Sequence, residues 1–195
     1  MFKLGAIELE YMSHSYNCGT GKHRTERCVE LPIADYWLSK VGNDVTEFGA
    51  VSPYYYPDRI KDVVDPVDKK ATIKGSLFDT DFSGRDVLSI STIEHIGVGD
   101  YGYIEKDSRN DAILALGYII AKANRWLVTW GYGYNPTLDA QILDNRLIGI
   151  CNMYLLSRQI DDSWMQVGIE GLTQYGRNMA NSVIILTNCN VFERK

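Results

Sequence analysis

The chain has no long apolar run, no basic cluster and no paired-cysteine motif, and each absence removes a class of function. None of its apolar stretches approaches the length of a membrane span, and its start, MFKLGAIELEYMSHS, lacks the charged-then-apolar pattern of a signal peptide. A soluble, cytoplasmic protein is expected. Formal net charge is −5, and no basic run exceeds the pair Lys69–Lys70. Phosphate backbones are gripped by clustered Lys and Arg, so nucleic acid is not favoured as a partner. The four cysteines, Cys18, Cys28, Cys151 and Cys189, show no C-x-x-C spacing. They read as reduced, half-buried thiols in preference to a zinc site or a disulfide, which suits a cytosolic redox compartment.

What is present describes an ordinary globular chain. A length of 195 residues, 45% hydrophobic and 23% charged, suffices for one domain with a sizeable core and is short for two. No internal repeat or low-complexity linker divides it. A single domain over 1–195 is expected, with an N-terminal lid and helix over 1–43 and a core over 44–195. The polar segment Tyr11–Lys22 reads as a loop across the front of that core. Helical spacing predicts a helix from Thr25 to Lys40, with Pro32 implying a kink or a later start. Strands are predicted at Asp44–Phe48, Ile60–Val64, Thr72–Lys74, Asp86–Ile90, Arg125–Trp130 and near Cys151–Ser157, and in the C-terminal runs GIEGL and SVIILTN. Helices are predicted at Asn110–Ala123 and Thr137–Asp144. This alternation predicts an α/β fold: a compact, doubly wound, Rossmann-like sheet, mostly parallel, with an antiparallel C-terminal strand.

The most informative run is DVLSISTIEHIG, from Asp86 to Gly97. An apolar strand stops abruptly in Ser91, Thr92, Glu94 and His95, which is how an open α/β sheet presents chemistry at its carboxyl edge. Two earlier strands end in the same manner, VTEFG with Glu47 and RIKDVVD with Asp65. Three polar strand ends point to one cleft. Glu47 and Asp65 lie 18 residues apart, near the roughly 20-residue offset at which dinucleotide folds place a ribose-binding acid. The phosphate-binding glycines are missing, however: FGAVSPYY supplies one. NAD and FAD are thereby disfavoured, and a nucleoside ligand without phosphates, such as S-adenosylmethionine, needs no such glycines. Both acids also suit a second role, capping strands or helices.

Five motifs in order carry a family resemblance: TERCVELPI (25–33), VTEFGAVSPYY (45–55), KDVVDPVD (61–68), LSISTIEHIG (88–97) and WGYGYNPTLD (130–139). With them the chain resembles the class I S-adenosylmethionine-dependent methyltransferases. It is similar in particular to a bacterial and viral group associated with carbohydrate-modifying genes, whose members carry ERaVE, LEVGNVLSHY, DVVD, STLEHVG and GYNPxLD. The resemblance spans nearly the whole chain and implies S-adenosyl-L-methionine as cofactor and a methyltransferase-type fold. It implies that Glu47 and Gly49 underlie the methionine part, that Asp65 takes the ribose hydroxyls and that Asp79 faces the adenine amine. Ser91 and Thr92 would line the floor, and His14, Tyr16 and Arg27 would fold over as a lid. If the source is viral, the compartment is the host cytoplasm.

Methyl transfer to a hydroxyl asks the protein to orient the acceptor and take its proton. Glu94 and His95 are the candidates, His95 because a histidine ordinarily titrates near working pH and suits proton transfer; a buried histidine capping the next loop is the other reading. Some O-methyltransferases bind a divalent metal through E-x-x-E-H, but Ser91 replaces the first glutamate, so no metal is expected. Tyr54, Tyr134, Asn135 and Asp139 would line the acceptor site, where aromatic faces with polar tips suit sugar rings; packing around the neighbouring prolines competes with that role. O-methylation of a small-molecule or glycan hydroxyl is expected, with an inactive methyltransferase-like binding or scaffold protein as the alternative. A homo-oligomer is left open.

Overall fold

The computed structural model describes residues 1–14, 16–18, 25–99, 108–144, 146–147, 149–174 and 180–193. Within the Tyr11–Lys22 loop, 15 and 19–22 therefore lie outside the described residues.

Seven strands form one mixed sheet in the order β4-β3-β5-β6-β9-β7-β8. These are β3 (Val45–Phe48), β4 (Asp62–Val64), β5 (Asp86–Ile90), β6 (Trp126–Gly131), β7 (Asn152–Arg158), β8 (Trp164–Gln166) and β9 (Ser182–Thr187). The run β4-β3-β5-β6 is parallel. Strand β9 enters reversed between β6 and β7, and β8 pairs antiparallel with β7. Helix α1 (Arg27–Val41) precedes the sheet, α2 (Asn110–Lys122) joins β5 to β6, and α3 (Pro136–Leu143) follows β6.

Successive side chains of a strand point to opposite faces, and here both faces are buried. Leu127, Val183 and Ile185 pack in one apolar layer with Leu31, Trp37 and Leu38 of α1. Val128, Ile184 and Leu186 pack in the other with Leu116 and Ile119 of α2 and Leu138 of α3. Coverage on two sides explains why VIIL and WLV show no polar alternation.

Four expectations change. Helix α1 starts at Arg27 and runs through Pro32 without breaking. Proline cannot donate to the carbonyl four residues back, Cys28, and the Met12 N–H takes that carbonyl instead at 2.9 Å. The run Thr72–Lys74 forms no strand, only one bridge between Ile73 and Val64. There the Thr72 hydroxyl, not a backbone carbonyl, accepts the Val63 N–H at 2.9 Å. GIEGL is a 3-10 turn over Ile169–Gly171, and the strand falls earlier, at β8. An unanticipated hairpin opens the chain, β1 (Phe2–Leu4) with β2 (Ile7–Leu9). Its Gly5 has φ +57, and a Cβ there would lie 2.4 Å from the Phe192 carbonyl oxygen. Among the described residues no helix is long and apolar enough to cross a membrane.

Candidate functional site

From β3 the chain steps to β4 on one side and then crosses to β5 on the other, so the strand order reverses around β3. Open α/β sheets bind ligands outside the carboxyl ends of strands at such a reversal. A cavity of about 790 Å³ opens there. Ala50 and Val51 line it after β3, Asp65–Lys69 after β4, and Ser91, Thr92 and His95 after β5, with Arg27 reaching in from α1.

Gly49 turns the chain out of β3 at φ +87, and a Cβ there would stand 2.0 Å from Thr92 Oγ1. Glycine is therefore needed both for the left-handed turn and for the close approach of Thr92. Thr92 holds its hydroxyl on the Ile90 carbonyl at 2.8 Å. Asp65 both caps its own loop and lines the cavity. Its Oδ1 accepts the Val67 and Asp68 N–H groups at 2.8 Å each, capping the loop. Its Oδ2 accepts only a longer bond, 3.3 Å from the Ala50 N–H, and the residue lines the cavity.

Ser91 is a non-glycine residue at φ +37, in the left-handed region that ordinary side chains avoid. Its hydroxyl donates to Glu30, with oxygens at 2.7 and 2.9 Å. Glu30 is fully buried and also accepts from Thr129 Oγ1 and Arg27 Nη1, each at 2.7 Å. Burial opposes the charge on Arg27, yet Glu30, Glu26 and Glu94 together raise its pKa.

Glu47 and Glu94 are buried and do not line the cavity. Glu47 accepts the Ser52 N–H at 2.9 Å, and burial pushes its pKa up to about 8. Burial, reinforced by the Glu30 charge, likewise raises Glu94 to about 8; its Oε1 accepts the Gly131 N–H at 3.3 Å. His95 does line the cavity, with its ring 4.5 Å from that of Tyr134. Tyr134 thus reaches the site through His95 and is not itself a lining residue. At the mouth, Tyr54 stacks on Tyr16 with ring centroids 5.2 Å apart and donates its hydroxyl to Asp68.

Besides Glu47, Gly49, Glu94 and Tyr134, three more expected site residues do not line the cavity: Asp79, Asn135 and Asp139. Asp79 is exposed, accepts the Ser76 hydroxyl at 2.7 Å and is not among the lining residues. Asn135, fully buried, caps α3 by accepting the Leu138 N–H at 3.2 Å, while its amide donates to the Glu94 carbonyl. Asp139 accepts Trp130 Nε1 at 2.9 Å and the Gly133 N–H at 2.8 Å, and burial raises its pKa to about 6. Both serve the helix that follows β6. The cavity instead gains Leu77 and Phe78 as an apolar wall and Glu30 beneath its floor. Glu30 did carry a sequence signal, a lone acid inside the apolar helical run CVELPI. Among the described residues no cluster of His, Cys, Asp or Glu is arranged to hold a metal ion. Compared with protein-family models, with curated proteins and with solved structures, the chain matches none.

Proposed function

We propose that this protein is an S-adenosylmethionine-dependent methyltransferase that acts on a hydroxyl of a sugar or glycan. The observation that carries the reading is the cavity at the strand-order reversal, where the ends of β3, β4 and β5 meet and the Asp65 carboxylate lines the wall. Sheet order adds support, since a run of parallel strands next to a reversed C-terminal strand agrees with what the motif resemblance implies.

The residues present suit the cofactor. Asp65 Oδ2, with one long bond, keeps lone pairs for ribose hydroxyls. Leu77 and Phe78 offer an apolar wall to a purine, and the cavity volume falls within the range of small-molecule sites. When bound, S-adenosylmethionine supplies an electrophilic methyl group on a sulfonium. In this reading the chain would hold the acceptor oxygen in line and His95 would take the hydroxyl proton, the methyl group passing from the sulfonium sulfur to that oxygen and S-adenosylhomocysteine leaving. Tyr134 steadies the His95 ring, and Glu94 anchors the turn from behind, not as a second base. Tyr16, Tyr54 and Tyr55 give flat, polar-tipped surfaces that suit a sugar.

Calorimetric titration with S-adenosylhomocysteine tests the reading, paired with methyl transfer from labelled cofactor to free sugars, nucleotide sugars and oligosaccharides. Asp65→Asn is expected to weaken binding at least about tenfold, through the loss of charge-assisted bonds. His95→Ala is expected to keep the affinity and lose roughly 10²–10⁴ in turnover. A wild-type protein that binds no S-adenosylhomocysteine sinks the proposal. The placement of Glu94, Asn135 and Asp139 in bonds internal to the fold favours a second reading, a catalytically silent binding protein. Binding with no transfer to any acceptor selects it.

A further inference from the structure

We propose that Glu30 is a positioning residue for the cavity, a single buried carboxylate that fixes where Arg27 and the 91–95 turn stand. The proposal rests on the methyltransferase reading for its functional consequence, but not for its geometry.

Glu30 receives one donor from each of three elements: Arg27 on α1, Ser91 at the end of β5 and Thr129 on β6. Two of those partners, Arg27 and Ser91, line the cavity. Ser91 is held at φ +37, and a strained non-glycine backbone persists only where its surroundings hold it in place. Its hydroxyl bond to Glu30 and the bond from its N–H to the Thr129 carbonyl, at 2.9 Å, are what hold it. Four residues on stands His95. One buried acceptor thus links the lid-side cation, the floor and the turn that carries the proposed base. Burying a carboxylate is costly unless its oxygens are satisfied, and here both oxygens are occupied. A core needing only volume at this position would be served by leucine.

The test compares Glu30→Gln, Arg27→Met and the double variant with wild type, by S-adenosylhomocysteine affinity and by amide hydrogen exchange. Each single variant should bind at least tenfold more weakly, and the double no worse than Glu30→Gln alone, because removing the Glu30 carboxylate already releases both Arg27 and the turn. Exchange should rise at residues 91–96 and stay unchanged in β9. Wild-type affinity with unchanged exchange at 91–96 overturns the proposal. So does a rise spread evenly over β6 and β9, which would mark Glu30 as a general stabiliser. Should Glu30→Gln fail to fold, Thr129→Val removes one donor, keeps the Arg27 pair and is read by the same local-against-even criterion. A wild type that binds no S-adenosylhomocysteine refutes the proposed function, and exchange alone then decides the role of Glu30.

Discussion

Glu47 and Glu94 each bury one carboxylate oxygen that has no hydrogen-bond partner among the described residues. The pKa of each is pushed up to about 8, by burial above all. An acid whose pKa is higher folded than unfolded holds its proton longer in the folded state. The unfolded chain therefore binds fewer protons between about pH 4.5 and 8, and stability falls as pH rises through that window. A thermal-melting series from pH 5 to 9 is expected to slope downward for wild type and to flatten in Glu47→Gln and Glu94→Gln. Equal slopes in all three proteins would show that neither glutamate is buried neutral. The residues that line the cavity were legible where the signal was local: apolar strands ending in Asp65, Ser91, Thr92 and His95. Glu30 lacked such a signal for its role, because its hydroxyl partners lie 61 and 99 residues away in sequence. Asn135 and Asp139 were open to misreading for the opposite reason. Asn before Pro is a local helix-start signature, and that structural role accounts for the Asn135 side chain.

At the scale of elements, α1 shows a helix interrupted chemically but not geometrically. Pro32 withholds one donor, and Met12 from the segment after β2 supplies it, stitching the N-terminal region to the helix. Pro32→Ala would return a competing N–H to the Cys28 carbonyl. The Met12 amide is then expected to exchange at least about tenfold faster while α1 stays helical, since an interior alanine favours a helix far more than proline does. An unaltered Met12 exchange rate would mean that the proline is not what reserves the carbonyl. Long or strongly apolar elements were readable from the sequence: α1, α2 and the strands β3, β5, β6 and β9. Among the short ones β4 was readable, but three others were not. The three residues of β8 and the three-residue strands of the opening hairpin carry too little periodicity to separate strand from turn.

For the whole molecule, the sheet is covered on both faces and its net charge of −5 leaves little long-range attraction for polyanions. Methyl transfer to a neutral glycan is accordingly expected to change less than about threefold between about 50 and 200 mM salt. A protein making several phosphate contacts would lose about 10³–10⁵ in affinity over that range. Labelling confined to RNA, with steep salt sensitivity, would overturn the carbohydrate assignment.

The reversed strand β9 also sets an order of events for a chain leaving the ribosome. Strands β7 and β8 pair with each other but join the sheet only through β9, which is made after both. Until residues 182–187 emerge, the edge of β6 stands open and the β7–β8 hairpin has no strand of the seven-stranded sheet to pair with. An exposed edge that must wait for a distant partner is slow to satisfy and prone to pair with the wrong one. The interval between the synthesis of β6 and that of β9 is thus the period when the β6 edge is open to wrong pairing.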